Sequence, residues 1–153
     1  MGLVDALSRL AGSLYFERPA RKLGVAEHIA RLRRTGEKLA AILAAAPDTP
    51  AHREKLRHVI GIERWGQRRL RVFLGEPFVA DSHQPYKPPA DAGWDALRAG
   101  LAATRAETVA LAERLASPEP ATKVAHNQFG DFSVRGWLRY LNGHAWVELR
   151  KMK

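Results

Sequence analysis

Residues 133–152 read SVRGWLRYLNGHAWVELRKM, and their period sets the fold class. At about 100° per residue, Val134, Trp137, Leu138, Leu141, Ala145 and Met152 fall on one side of a helix. Ser133 stands ahead of them as an N-cap, so an amphipathic helix is predicted from about residue 134 to the chain end. Two polar residues intrude on the stripe. Glu148 projects between Trp137 and Leu141, and His144 lies beside it, so both point toward the interior of a helical assembly or toward its mouth.

Three further stretches carry the same period. Over residues 24–46, Val25, Ile29, Leu32, Gly36, Leu39 and Leu43 recur at spacings of three and four, and the helix is expected to stop where Pro47 and Pro50 interrupt PDTP. Over residues 51–74 the stripe is Val59, Ile62, Gly66, Leu70 and Phe73, with Gly75 as a C-terminal cap. A Pro- and Asp-rich connection, EPFVADSHQPYKPPADAG, follows. Asp91 is read as the next N-cap, ahead of Trp94, Leu97, Leu101, Thr104, Thr108, Leu111 and Leu115, and SPEP ends that helix. ATKVAHNQFGDF reads as a loop, and residues 3–14 as a short accessory helix. The fold expected is all-α: a four-helix bundle with a long crossover between helices 2 and 3, in one domain spanning residues 1–153.

Composition narrows the function. The 153 residues include no cysteine, which excludes disulfides, thiolate metal sites and a cysteine nucleophile, and leaves six histidines as nitrogen donors. No stretch approaches the roughly 20 apolar residues of a membrane span, and Asp5 and Arg9 interrupt the N-terminal apolar run, so a cytoplasmic protein is expected. The net charge of +9 raises nucleic acid as a partner through RLRR and RWGQRRLR. Both runs lie on amphipathic helices, where arginines more often solvate an outer face, and the same charge suits a small anionic ligand.

A carboxylate on an apolar stripe must be paired, hydrogen-bonded or bound to a cation. Either an arginine answers Glu148, or the helix end frays into water, or Glu148 and His144 grip a metal, since residues four apart on a helix stand about 5–6 Å apart at Cβ. A third ligand would come from another helix, and His58, beside Ile62 and Trp65 at the edge of the helix-2 stripe, is the candidate. His28, His52 and His83 have neighbours that suggest exposure. His126, just before the last helix, suits loop packing or support of a nearby site.

LRHVIGIERWGQRRL, followed by HNQFGDFSVRGWLRYLNGHAWVEL, resembles the DinB-like superfamily, which includes the YfiT-type bacterial thiol transferases. The specific parts are an L-x-H-x4-E stretch and an H-N-x-F-G-x-x-S block that runs on into the last helix. The resemblance implies a metal site with one histidine from helix 2 and two ligands four apart on the last helix. Those positions match His58, His144 and Glu148, the last standing where relatives commonly carry histidine. His126, Asn127 and Trp137 then line or support the site.

Two imidazoles and a carboxylate suit Zn²⁺, Ni²⁺, Mn²⁺ or Fe²⁺. The activity implied is metal-dependent S-transfer from a low-molecular-weight thiol such as bacillithiol or mycothiol to a small-molecule electrophile, or a related hydrolysis. The alternative is a non-catalytic stress-response or binding protein with a degenerate metal site, touching nucleic acid through its basic surface. A homodimer formed through a helix face is a further expectation, with Trp65, Trp94 and Trp146 as candidate interface residues. Trp146, off the apolar arc, either packs under the N-terminal segment or marks that interface.

Overall fold

The computed structural model describes residues 2–153. Four long helices carry the mass: α3 (Val25–Ala45), α4 (Pro50–Phe73), α5 (Trp94–Arg114) and α6 (Val134–Leu149). An N-terminal helix, α1 (Leu3–Gly12), runs through a π-helical turn (Ser13–Glu17) into a short α2 (Arg18–Ala20). Each long helix packs mainly on two others: α3 and α4 both pack against α5 and α6, which makes a ring α3–α5–α4–α6. Among the described residues no helix is long and apolar enough to cross a membrane.

Local chemistry sets the helix ends. Thr49 caps α4 by accepting from the His52 N–H at 3.1 Å, and Pro50 occupies its first turn, where a missing N–H costs nothing. Pro50 therefore starts a helix instead of merely barring one. At the other end Gly75 takes φ +100°, its N–H meets the Val72 carbonyl, and the Glu76 N–H meets that of Arg71, which closes a Schellman cap. Ser133 caps α6 through the Gly136 N–H at 3.2 Å. For α5 the cap is Gly93, not Asp91, and the helix opens two residues later than an Asp91 cap would start it.

The stretch read as a loop before α6 forms a hairpin. β1 (Val124–His126) pairs antiparallel with β2 (Gly130–Phe132), with Val124 opposite Phe132 and His126 opposite Gly130. Each strand buries its first and third residues, an alternation too brief to read from sequence. Behind the hairpin, the buried Glu17 carboxylate accepts from both the N–H and the Oγ of Ser133 at 3.0 Å, which ties the N-terminal segment to the start of α6.

Two apolar clusters fill the ring. One gathers Leu32, Trp65, Leu70, Leu111, Phe132, Trp137 and Leu141, and the other Leu39, Leu56, Ile60, Leu97, Leu101 and Leu149. Trp65 and Trp94 are buried, and Trp146 packs on the second cluster with Lys38 Nζ 6.0 Å from its ring, not under the N-terminal segment.

Glu63 and Arg105 form an ion pair buried between α4 and α5. Arg105 donates from Nε and Nη2 to the two oxygens of Glu63 at 2.8 and 3.0 Å, and from Nη1 to the Leu32 carbonyl and to Asn142 Oδ1 at 3.2 and 2.8 Å. Thr108 adds a hydrogen bond to Glu63 at 2.9 Å. Removing one member of such a pair strands a buried charge, whereas replacing both with apolar groups of similar volume removes that penalty. Glu63→Leu should lower unfolding free energy by about 3–5 kcal/mol, with Glu63→Leu/Arg105→Met recovering most of it in urea titrations.

Candidate metal centre

The ring places α4 beside α6, and this brings His58 to His144. Their ring centres are 5.2 Å apart, and both residues are half-buried. With nitrogen–metal distances of about 2.0–2.1 Å a ring centre lies about 3.2 Å from an ion, so two tetrahedrally placed rings stand about 5.2 Å apart. The observed spacing suits two imidazoles on one ion. Glu148 sits one turn beyond His144, half-buried, and its charge bears on His58. Among the described residues no lysine or arginine pairs with Glu148, so the arginine answer to its burial is not the one the fold uses.

Burial keeps these imidazoles neutral. His144 is pushed down to about 4, first by loss of water and then by His58 and His83. His58 is lowered by burial, with Glu148 pulling the other way. A neutral ring offers a lone pair, which a metal ligand requires.

His83 completes this neighbourhood, contrary to the exposed position expected for it. Its ring stands 5.0 Å from that of His58 at 88°, half-buried, and its pKa is lowered by burial and by His58. The crossover containing it is pinned to α4, where Trp65 Nε1 donates to Asp81 Oδ1 at 3.1 Å and Arg69 Nη1 to the Val79 carbonyl at 2.6 Å, and is braced within itself by Tyr86 donating to Asp81 Oδ2 at 2.5 Å. Only Asp81 and Tyr86, polar anchors on either side of His83, hinted at this. By donor chemistry the His58 and His144 imidazoles, with Glu148 one turn on, are of the kind a divalent ion takes. Among the described residues, no three His, Asp or Glu side chains stand closed around one point.

The remaining sequence candidates lie behind the imidazoles. His126 is 8% exposed, packed edge-on against Tyr140 and Trp65 at ring separations of 4.6 and 5.1 Å. Its Nδ1 accepts from the Gln128 and Phe129 N–H groups, so Nε2 carries the proton, buried without a hydrogen-bond partner. Trp137 is fully buried, and its Nε1 donates to the Val124 carbonyl. Asn127 is exposed and clamps the hairpin to the crossover through the Asp81 carbonyl at 2.8 Å. Tyr140, between His126 and His144, is pushed up to about 12 by burial and stays protonated.

Two other histidines differ in placement. His28 is buried, not exposed, and Nε2 donates to the Ala20 carbonyl at the end of α2 at 2.9 Å. His52 is half-exposed at the α4 start, with Nδ1 2.7 Å from the Pro47 carbonyl. A concavity of about 770 Å³ lies between α3 and α5, away from the α4–α6 pair. It is lined by Gly36, Ala40, Leu43 and Ala102 with Arg33 and Arg98 at hand, and holds no histidine.

With this geometry in view, the family comparison is specific. A model of the DinB superfamily matches residues 3–151, nearly the whole chain. The chain belongs to the DinB superfamily. No curated protein and no solved structure gives a significant match. The match spans both the α4 histidine and the α6 pair, and it also takes in the crossover that carries His83.

The depressed His126 sets an acid limit. Its pKa is about 4 in the fold against an ordinary 6.5, so as pH falls through that window the unfolded chain takes the proton first and stability is lost. For this group the loss reaches about 3 kcal/mol by pH 4. His126→Asn keeps an acceptor for the two amides but cannot titrate. Its unfolding free energy should fall by about one proton's slope less than wild type between pH 6.5 and 4.

Proposed function

We propose that this DinB protein binds a divalent ion, Zn²⁺, Ni²⁺, Mn²⁺ or Fe²⁺, through His58, His144 and Glu148. We infer that it acts in the cytoplasm as a metal-dependent S-transferase that uses a low-molecular-weight thiol such as bacillithiol or mycothiol, or as a related hydrolase. The observation that carries the reading is the meeting of two neutral imidazoles from α4 and α6 at 5.2 Å, with a carboxylate unpaired by any described cation one turn on.

A bound ion would lower the pKa of a coordinated thiol, and the chain has no cysteine of its own to supply one. His58 and His144 would hold their lone pairs ready, since burial keeps both rings unprotonated at neutral pH. Glu148 would offset part of the ion's charge and oppose the burial penalty on His58. Tyr140, its ring 6.0 Å from that of His144 and protonated, would offer a hydroxyl near a bound group.

A nucleic-acid role is less well supported by the arginines that suggested it. Arg31 and Arg34 pair with Glu27, Arg33 with Glu113, Arg68 with Glu76 and Arg71 with Glu107. Arg69 is 1% exposed and bonds the crossover, so it is no part of an outer basic face.

We further propose a homodimer. Leu3, Leu7, Leu10 and Leu14 form an exposed stripe at spacings of three and four along α1 and its π-helical turn, an apolar band that a second copy would cover. Light scattering should give twice the 17.0 kDa chain mass for wild type and the single mass for Leu7→Lys/Leu10→Lys.

Metal analysis of protein prepared without a nickel column tests the central reading. Close to one ion per chain is expected in wild type, with large losses in His58→Ala and Glu148→Ala; metal-free wild type that also takes up none on titration would refute it.

A further inference from the structure

A small cavity of about 160 Å³ lies between α3, α6 and the π-helical turn Ser13–Glu17. It falls well short of the roughly 300–1,000 Å³ of a site for a drug-sized molecule, and so suits a small ion or one end of a ligand. Arg31, Arg139, His28 and Asn142 line it with Phe16 and Gly143, and no carboxylate is among its lining residues. Arg139, Asn142 and Gly143 are turned by about 100° or more around α6 from His144, so this cavity is separate from the histidine cluster.

Local contacts leave donors unused here. The Tyr15 carbonyl, on the π-helical turn, accepts from Arg139 Nε at 2.9 Å, and the two Nη groups make no hydrogen bond among the described residues. Asn142 Oδ1 accepts from Arg105 Nη1 at 2.8 Å, which fixes the amide: turned over, it would set donor against donor. Its Nδ2 therefore keeps two hydrogens, with no acceptor among the described residues. The buried His28 commits Nε2 to the Ala20 carbonyl, and Nδ1 has no partner. π-helical turns recur at functional sites, and this one supplies the carbonyl that aims Arg139.

Positive charge is also left over. Arg31 must share Glu27 with Arg34, at 3.4 and 3.0 Å, and no described carboxylate pairs with Arg139. Burial holds Arg139 below the ordinary guanidinium value, and Arg31 adds to the effect. His28 is lowered first by burial, against the pull of the Ala20 hydrogen bond, and Arg31 and Arg139 lower it further. An anion placed among these groups would relieve their mutual repulsion, and would favour a protonated His28 whose Nδ1 donates.

We propose that this cavity binds a small oxyanion, the phosphate or carboxylate group of a small molecule, between Arg31 and Arg139, with the Asn142 amide as a further donor. A guanidinium fork meets two oxygens of either group. The inference is independent of the metal reading.

Inorganic phosphate and acetate are the probes, each titrated into isotope-labelled, untagged full-length protein at an ionic strength held constant with chloride. The Arg139 Nε–H and Gly143 amide resonances should move and saturate with one probe or both, and which probe saturates them identifies the group bound. Arg139→Gln should weaken that binding roughly tenfold or more. A Cβ at Gly143 would meet nothing within 4 Å, so Gly143→Leu has room to fold and should weaken binding likewise by filling the cavity. Circular dichroism melts establish that both variants are folded. Shifts that grow without saturating for both probes, or saturable binding that both folded variants retain at wild-type strength, would overturn the proposal.

Discussion

The buried pair of Glu63 and Arg105 is the constraint on which the rest of the bundle depends. Two charges taken from water demand nearly complete hydrogen bonding, and they receive it from four helices: Glu63 on α4, Arg105 and Thr108 on α5, the Leu32 carbonyl on α3 and Asn142 on α6. Apolar packing alone tolerates small rotations of one helix against another, but a bidentate guanidinium–carboxylate contact does not. The pair therefore fixes how each helix is turned.

That rotation decides where the candidate centre lies. Glu63 faces α5, and His58, five residues earlier and about 140° around the helix, faces α6. Asn142, held by Arg105, is two residues before His144, so the same ion pair locates both imidazoles. The charged network and the imidazole cluster sit on different faces of α4. One uses permanent charge to set the frame, and the other uses burial to keep titratable rings neutral.

A second frame stands behind the imidazoles. Trp65, Phe132, Trp137 and Tyr140 surround His126, and the hairpin that presents His126 is fixed to the crossover by Asn127 and to Trp137 by the Val124 carbonyl. The crossover is thus gripped by α4 on one side and by the hairpin on the other. A connection rich in proline and aspartate, with the composition of a free loop, becomes part of the structural wall beside His58.

The local signals were those that repeat along one helix. The 3.6-residue period placed the four long helices, the Ser133 cap and the Gly75 terminator, and it put His144 and Glu148 on an inward face, because each depends only on neighbours within a turn or two. The helix-2 stripe offered His58 as their counterpart across the bundle, and motif resemblance pointed to the superfamily that the family match shows. What remained hidden was decided between segments far apart in the chain. His28 needs the Ala20 carbonyl from α2, Arg69 needs the crossover carbonyls, Glu63 needs Arg105 from 42 residues away, and His83 needs Gly61 to admit its backbone. No periodicity encodes such meetings, since they exist only once the helices have packed. The sequence by itself thus determined the helical elements and an inward His/Glu pair. Only the tertiary structure decided which distant groups face that pair, because long-range contacts are set by how the helices are rotated against one another.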